Sequence, residues 1–171
     1  GLKKALMKDK FPMWKVPWVM LDLKAAINLG IREEVQLFPG MRPILEQLTQ
    51  SYSLEIVSSN SKENIKCFLT KSGIQELFSF IYSDSSLFGK EIVLKRLGKK
   101  HRLSLQEMLY IGDEDRDIHT AHKLKIPIIA VTWGYNVREL LAAEKPDYLV
   151  EQPEELLGIL GRVEQCVWQR K

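Results

Sequence analysis

Residues 108–118 read Met-Leu-Tyr-Ile-Gly-Asp-Glu-Asp-Arg-Asp-Ile. An apolar run drops into Gly112-Asp113 and then into an acidic turn. Asp113 and Asp117 stand four residues apart, with Glu114 and Asp115 between them. Carboxylates at this density repel one another unless a cation or a lysine neutralises them, and hard oxygen donors of this kind favour Mg2+ over zinc or copper. Two other stretches suit the same chemistry. Val57-Ser-Ser-Asn60 sets two hydroxyls and an amide at the start of a predicted helix, where free N–H groups and the positive dipole end suit a phosphate. Gly89-Lys90 opens another predicted helix and supplies a lysine that would balance carboxylates and phosphate in one pocket. Each also has a plainer reading: Ser59 and Asn60 as helix caps, Lys90 as a solvated lysine, and the acids as complements to a helix dipole. Capping alone is a poor account of Gly112-Asp113 directly after an apolar strand. Thr132-Trp-Gly-Tyr-Asn136 reads equally well as pocket lining or as a turn.

The elements that must position these residues alternate. After the break at Phe38-Pro-Gly40, apolar spacing predicts helices over 41–50, 90–99, 118–124 and 137–143. A further helix opens from Asn60-Ser-Lys-Glu63, which has the form of a capping box, and ends at Gly73; the last runs from Pro153 through Leu160. Strands are predicted over 54–57, 80–83, 108–111, 128–132 and 148–150. Strands alternating with helices imply an α/β fold, a mostly parallel sheet covered on both faces. Ligands of such sheets bind beyond the carboxyl ends of the strands, where Ser59, Lys90 and Asp113 fall. Residues 1–33 differ: they are mixed basic and apolar, include Trp14 and Trp18, and show helical spacing from Trp18 to Leu29.

Bulk properties exclude several classes. The 171 residues suit one domain with its own core, and the net charge of +3 is too small to argue for nucleic acid or a membrane surface. No apolar run reaches the roughly 18 residues of a membrane span. Cys67 and Cys166 lack metal-ligand spacing; Cys67 is expected as a buried free thiol, compatible with a reducing cytoplasm. The basic run 95–102 reads as a solvated helix end, and His119 and His122 as surface histidines without a third ligand.

In order, type and spacing, these residues together resemble the haloacid dehalogenase superfamily, and within it the phosphoglycolate phosphatase-like group. Phe38-Pro-Gly-Met-Arg-Pro-Ile-Leu-Glu-Gln-Leu is similar to the helix before the family's second motif, and Ile56-Val-Ser-Ser-Asn60 to that motif itself. Phe88-Gly-Lys90 resembles the third motif, with Glu91 where a proline often follows, and Ile111-Gly-Asp-Glu-Asp-Arg-Asp117 resembles the fourth. Ala130-Val-Thr-Trp-Gly134 and Pro146-Asp-Tyr-Leu-Val150 resemble the last two strands. The resemblance covers residues 36–160 and implies a Rossmann-like three-layer sandwich with a mostly parallel sheet. It implies that Ser59, helped by Asn60, hydrogen-bonds a transferred phosphoryl group, that Lys90 neutralises phosphate and nucleophile, that Asp113 binds Mg2+, and that Asp117 supports the metal or orients the lysine. The intact protein would then be a Mg2+-dependent phosphatase acting on a small phosphorylated metabolite in the cytoplasm through an aspartyl-phosphate intermediate.

The family's first motif, Asp-x-Asp-Gly-Thr, which carries the nucleophile and the general acid/base, has no match here. The nearest string is Val19-Met-Leu-Asp-Leu-Lys-Ala-Ala26. Either residues 1–33 are the tail of a small helical cap, with 34–171 a core lacking its first, central strand, or Asp22 is a degraded first motif. The helix formers around Asp22 favour the cap. On this reading the chain alone is inactive. The missing strand would leave unpaired backbone beside the strands at 54–57 and 108–111, so the gap is expected to be filled by residues 16–22, by a separate or swapped chain, or by a segment outside this numbering. Direct pairing of those two strands would refute that expectation. The alternatives are a catalytically inactive relative that binds a phosphate ligand or a protein partner, and a receiver-like phosphoacceptor, against which the order of Lys90 before Asp113 argues.

Overall fold

The computed structural model describes residues 36–83 and 89–163. The chain divides between Gln36 and Leu37, and the description that follows concerns the second unit. The predicted cap at 1–33, including Trp14, Trp18 and Asp22, lies outside the described residues, as do Phe88 and Cys166.

Helix α1 spans Met41–Leu48, strand β1 Leu54–Ser58, α2 Lys62–Lys71 and β2 Phe78–Ser83. Helix α3 (Gly89–His101), β3 (Tyr110–Gly112), α4 (Asp115–Leu124), β4 (Ile128–Val131), α5 (Arg138–Ala143), β5 (Tyr148–Val150) and α6 (Glu155–Val163) follow. The expected alternation is therefore present, with two additions. Single 3-10 turns at Gln75–Leu77 and Leu105–Glu107 precede β2 and β3. The second is fixed by a reciprocal cap between Ser104 and Glu107, and it delays β3 so that the strand begins at Tyr110 rather than at Met108. The cap of α2 also moves by one residue. Ser61, not Asn60, accepts the Asn64 N–H at 3.2 Å, while Asn60 Oδ1 takes the Ser61 N–H at 2.8 Å. Helix α2 stops as expected at Gly73, whose φ of 63° lets the Ile74 N–H reach back to the Leu69 carbonyl at 3.0 Å.

All strand pairs are parallel, which requires helical crossovers. Among the described residues they form two ladders, β1-β2 and β3-β4-β5. Strands β1 and β3 are not paired with each other, so each lacks a strand neighbour on one side among the described residues. The outcome that would have refuted an inserted strand is not observed. The apolar side chain of Ile111, in the middle of β3, is 38% exposed between buried Tyr110 and Gly112.

The core lies on both sides of β4, whose four residues are all buried. Ile128 and Ala130 pack on one face with Val93, Leu97, Ile118, Ala121 and Leu141, from helices α3, α4 and α5. Ile129 and Val131 pack on the other with Ile44, Leu48, Leu156 and Ile159, from α1 and α6. This period-2 split is what a strand buried between two helical layers requires. A third cluster of Ile65, Leu69 and Ile74 closes α2 over Ile56 and Ile81. The likeness expected for the fold class, an α/β sandwich with parallel strands, is met.

Helix α4 ends at Lys125 in the left-handed conformation, φ 57°, so that the Ile126 N–H reaches the Ala121 carbonyl at 2.9 Å. A side chain there costs more than glycine would. Lys125→Gly should stabilise the chain by roughly 0.5–1 kcal/mol after allowing for glycine's greater freedom when unfolded. The check is the urea midpoint at unchanged slope.

Candidate active site

Strand β3 delivers Gly112 and Asp113 to its carboxyl end, and α4 starts two residues later, so the four acids of 113–117 are gathered in one turn. Helix α3 brings Lys90 to them from 27 residues upstream. Lys90 Nζ donates to Asp117 Oδ1 at 2.5 Å, and the Tyr110 hydroxyl donates to the same oxygen at 2.8 Å. Asp117 is 2% exposed. A carboxylate so buried is tolerable only when paired and hydrogen-bonded, and both conditions are met here. Burial, and then the neighbouring Asp117 carboxylate, push the Tyr110 hydroxyl far above its ordinary range, so it remains a neutral donor.

Glu114 sits 3.9 Å from Lys90 Nζ through Oε2. Its carboxylate is gripped by Arg116, whose Nη2 donates to Oε1 at 2.7 Å and whose Nε donates to Oε2. Asp113 faces a different set of partners. Its Oδ2 accepts the Tyr135 N–H at 2.7 Å, and its backbone carbonyl accepts the Asn136 N–H at 3.1 Å. Among the described residues Asp113 Oδ1 carries no hydrogen bond. The loop after β4, residues 132–137, is thus clamped onto Asp113, and Trp133 in that loop stacks on Phe38 with ring centroids 5.6 Å apart.

Ser59 and Asn60 lie at the carboxyl end of β1, on the other ladder. The Ser59 side chain is exposed and makes no hydrogen bond among the described residues. Asn60 is tied into its turn: Oδ1 accepts from Ser61 N and from Asn64 Nδ2, and its carbonyl accepts the Ser83 hydroxyl at 2.5 Å. The structure therefore brings Lys90, Asp117, Glu114 and Tyr110 into direct contact and sets Asp113 beside them in sequence. Ser59 and Asn60 stand at a second strand end with no hydrogen bond to that group.

Among the described residues no three His, Cys, Asp or Glu side chains converge on one metal position. For Mg2+ this is ordinary, because it is commonly held by one or two carboxylates with waters and phosphate oxygens completing the shell. Asp113, half-buried with an uncommitted oxygen, fits that role. Asp117 fits it less well, since its Oδ1 already holds an ammonium and a hydroxyl. The two flanking histidines are not part of the site; His119 pairs with Glu144 at 3.2 Å. The basic run at the end of α3 makes local contacts, with Lys95 on Glu91 at 2.7 Å, His101 on Glu55 at 2.9 Å and Lys100 over the Phe80 ring. Cys67 is a free thiol but only half-buried, not fully buried as expected. No described helix is long and apolar enough to cross a membrane.

Sequence reasoning missed Tyr110, read only as one residue of an apolar strand, and the clamp by Tyr135 and Asn136. A tyrosine directly before Ile-Gly-Asp was a usable signal, because a buried hydroxyl needs a partner. A backbone clamp leaves no such signal.

The family model for haloacid dehalogenase-like hydrolases matches residues 3–131. A phosphoglycolate phosphatase from Synechococcus elongatus is 40% identical over 145 residues, which cover 82% of this chain and 68% of the relative. A phosphoglycolate phosphatase from Vibrio vulnificus is 29% identical over 128 residues, covering 72% of this chain and 56% of the relative. The chain thus spans little more than half to two thirds of these relatives. A haloacid dehalogenase-like family hydrolase from Streptococcus pneumoniae superposes with a TM-score of 0.81 at 25% identity, over 94% of this chain and 76% of that one.

Replacing Tyr110 by Phe should cost roughly 1.5–3 kcal/mol at pH 7, the range for a hydrogen bond to a charged group. Because the folded hydroxyl is held above its ordinary value of 10.0, its stabilisation is complete below pH 10 and declines as pH rises beyond it. The stability difference between the two proteins should narrow by about 1.4 kcal/mol per pH unit above pH 10. Urea unfolding at pH 7, 10 and 11 measures both effects.

Proposed function

The chain belongs to the haloacid dehalogenase-like hydrolase family, and on that premise we propose that it is the larger part of a Mg2+-dependent phosphomonoester hydrolase of the phosphoglycolate phosphatase type. The observation that carries this reading is the contact of Lys90 with buried Asp117, held by Tyr110, at the strand end that also presents Asp113. Asp117 fixes the lysine, so that the ammonium is ready to balance a phosphate and an anionic nucleophile without reorganising. Asp113 would hold Mg2+ through its free oxygen. When bound, the cation would supply charge neutralisation at the phosphoryl oxygens. The exposed Ser59 hydroxyl and the amide hydrogens of Asn60 would hydrogen-bond the transferred group.

The nucleophile is an aspartate that the described residues do not provide. We assign it to a strand entering between β1 and β3, contributed by a segment outside the described residues, by a separate or swapped chain, or by further sequence of a longer protein. The separate ladders, the exposed Ile111 and the greater length of the relatives support that assignment. In the reaction a carboxylate oxygen attacks phosphorus and the ester P–O bond breaks. The leaving alkoxide takes a proton, and water then cleaves the acyl phosphate to carboxylate and inorganic phosphate. The substrate class is a small phosphorylated metabolite; phosphoglycolate is the first to test because the relatives bear its name. The cytoplasm is the proposed location.

The test is hydrolysis of 4-nitrophenyl phosphate with Mg2+, by this chain and by a form extended with an Asp-x-Asp-Gly-Thr strand. The chain alone should be inactive and the extended form active. Asp113→Asn and Lys90→Met should each lower kcat/KM at least 100-fold, about 3 kcal/mol of transition-state stabilisation. Activity that survives Asp113→Asn would reject the site. Activity in the short chain that Asp22→Asn abolishes would put the nucleophile at Asp22. An extended form that binds phosphate without turnover would favour the inactive binding relative.

A further inference from the structure

Two glycines press on the two site carboxylates, and neither is demanded by its own backbone. Gly112 and Gly134 both lie outside the left-handed region, so a positive φ does not account for either glycine. What they lack is space. A Cβ on Gly112 would fall 2.6 Å from Asp117 Cβ and 2.7 Å from its Oδ2. A Cβ on Gly134 would fall 2.5 Å from Asp113 Cγ and closer still to its Cβ and Oδ2. Real Cβ atoms essentially never approach within 3.0 Å. At Gly134 the obstruction is the root of the Asp113 side chain, which no rotamer change can move away. The loop would have to retreat, and that loop carries the Tyr135 and Asn136 N–H groups that hold Asp113. Gly158, by contrast, has open space on its helix: nothing lies within 4 Å of where its Cβ would fall.

We infer that Gly134 is a positioning residue for Asp113. Its missing side chain lets residues 134–136 close on the carboxylate, commit Oδ2 to the Tyr135 N–H, and leave Oδ1 fixed for a cation. The inference rests on the proposed function for the identity of that cation; the steric grip does not. Mg2+ requires near-ideal octahedral geometry, so a ligand released from its clamp loses affinity out of proportion to the displacement.

The experiment compares Gly134→Ala with Gly158→Ala in the full chain. Isothermal titration uses Mg2+ alone, and amide hydrogen exchange is read at Tyr135. Gly134→Ala should raise the Mg2+ dissociation constant and the Tyr135 exchange rate at least tenfold each, while Gly158→Ala leaves both within twofold. A double-mutant cycle locates the cause: the fall in thermal midpoint caused by Gly134→Ala should disappear in an Asp113→Gly background. If Gly134→Ala fails to fold, the inference expects folding to return in that background. An equal fall in both backgrounds overturns it. So does normal Mg2+ binding by the unaltered chain that Gly134→Ala leaves within twofold. Absence of Mg2+ binding by the unaltered chain would instead overturn the proposed function together with the cation role of Asp113, and the cycle would still decide the grip.

Discussion

A carboxylate that is almost wholly buried governs this architecture. Asp117 cannot be carried inside without compensation, and two donors on one of its oxygens provide it: the Lys90 ammonium and the Tyr110 hydroxyl. That single requirement joins three elements: α4 follows β3 directly, and Lys90 of α3 comes 27 residues before Asp117. Helix α3 must present its first turn to β3, β3 must place Tyr110 inward, and α4 must begin close enough to β3 for Asp117 to reach back. Breaking the contact by removing one partner would leave the other charge stranded, so the pair binds the elements together.

Around this contact, the two kinds of support differ in physical character. Asp117 is held by side chains within a dry environment. Asp113 is held by backbone N–H groups of a surface loop, itself braced by the Phe38–Trp133 stack. The first pair, Lys90 and Asp117, is 17% and 2% exposed, whereas Asp113 is half-buried with one carboxylate oxygen taken by the Tyr135 N–H.

Much of this could be read from the chain. The alternation of elements follows from apolar spacing, and Gly73 ends α2 because its φ is one that few other residues tolerate. The order Ser59, Lys90, Asp113, Asp117 was legible because each follows a predicted strand or opens a predicted helix. What was not legible depends on contacts that spacing does not encode. Ser61 takes the cap of α2 because Asn60 is diverted into its own turn. Strand β3 starts late because Ser104 and Glu107 close a 3-10 turn first. Tyr110 looked like one more apolar residue until its hydroxyl met Asp117, and the segment around Gly134, readable as pocket lining or as a turn, gave no sign of its clamp on Asp113.

Strand β4 carries a further consequence, one of folding fidelity. Both of its faces are buried, with Ile128 and Ala130 on one side and Ile129 and Val131 on the other. A slip of one residue would exchange apolar groups for apolar groups, so hydrophobicity does not penalise it as it would in a half-buried strand. The register is instead enforced at the ends. Asp147 Oδ2 accepts the Ile128 N–H at 2.9 Å, and the Val150 carbonyl accepts the Thr132 N–H at 3.1 Å. The loop that clamps Asp113 departs from the second of these points. Whether that loop arrives at the correct height along the sheet is therefore decided by two polar latches at the strand ends, and a misregistered chain could bury nearly as much apolar surface while missing its site.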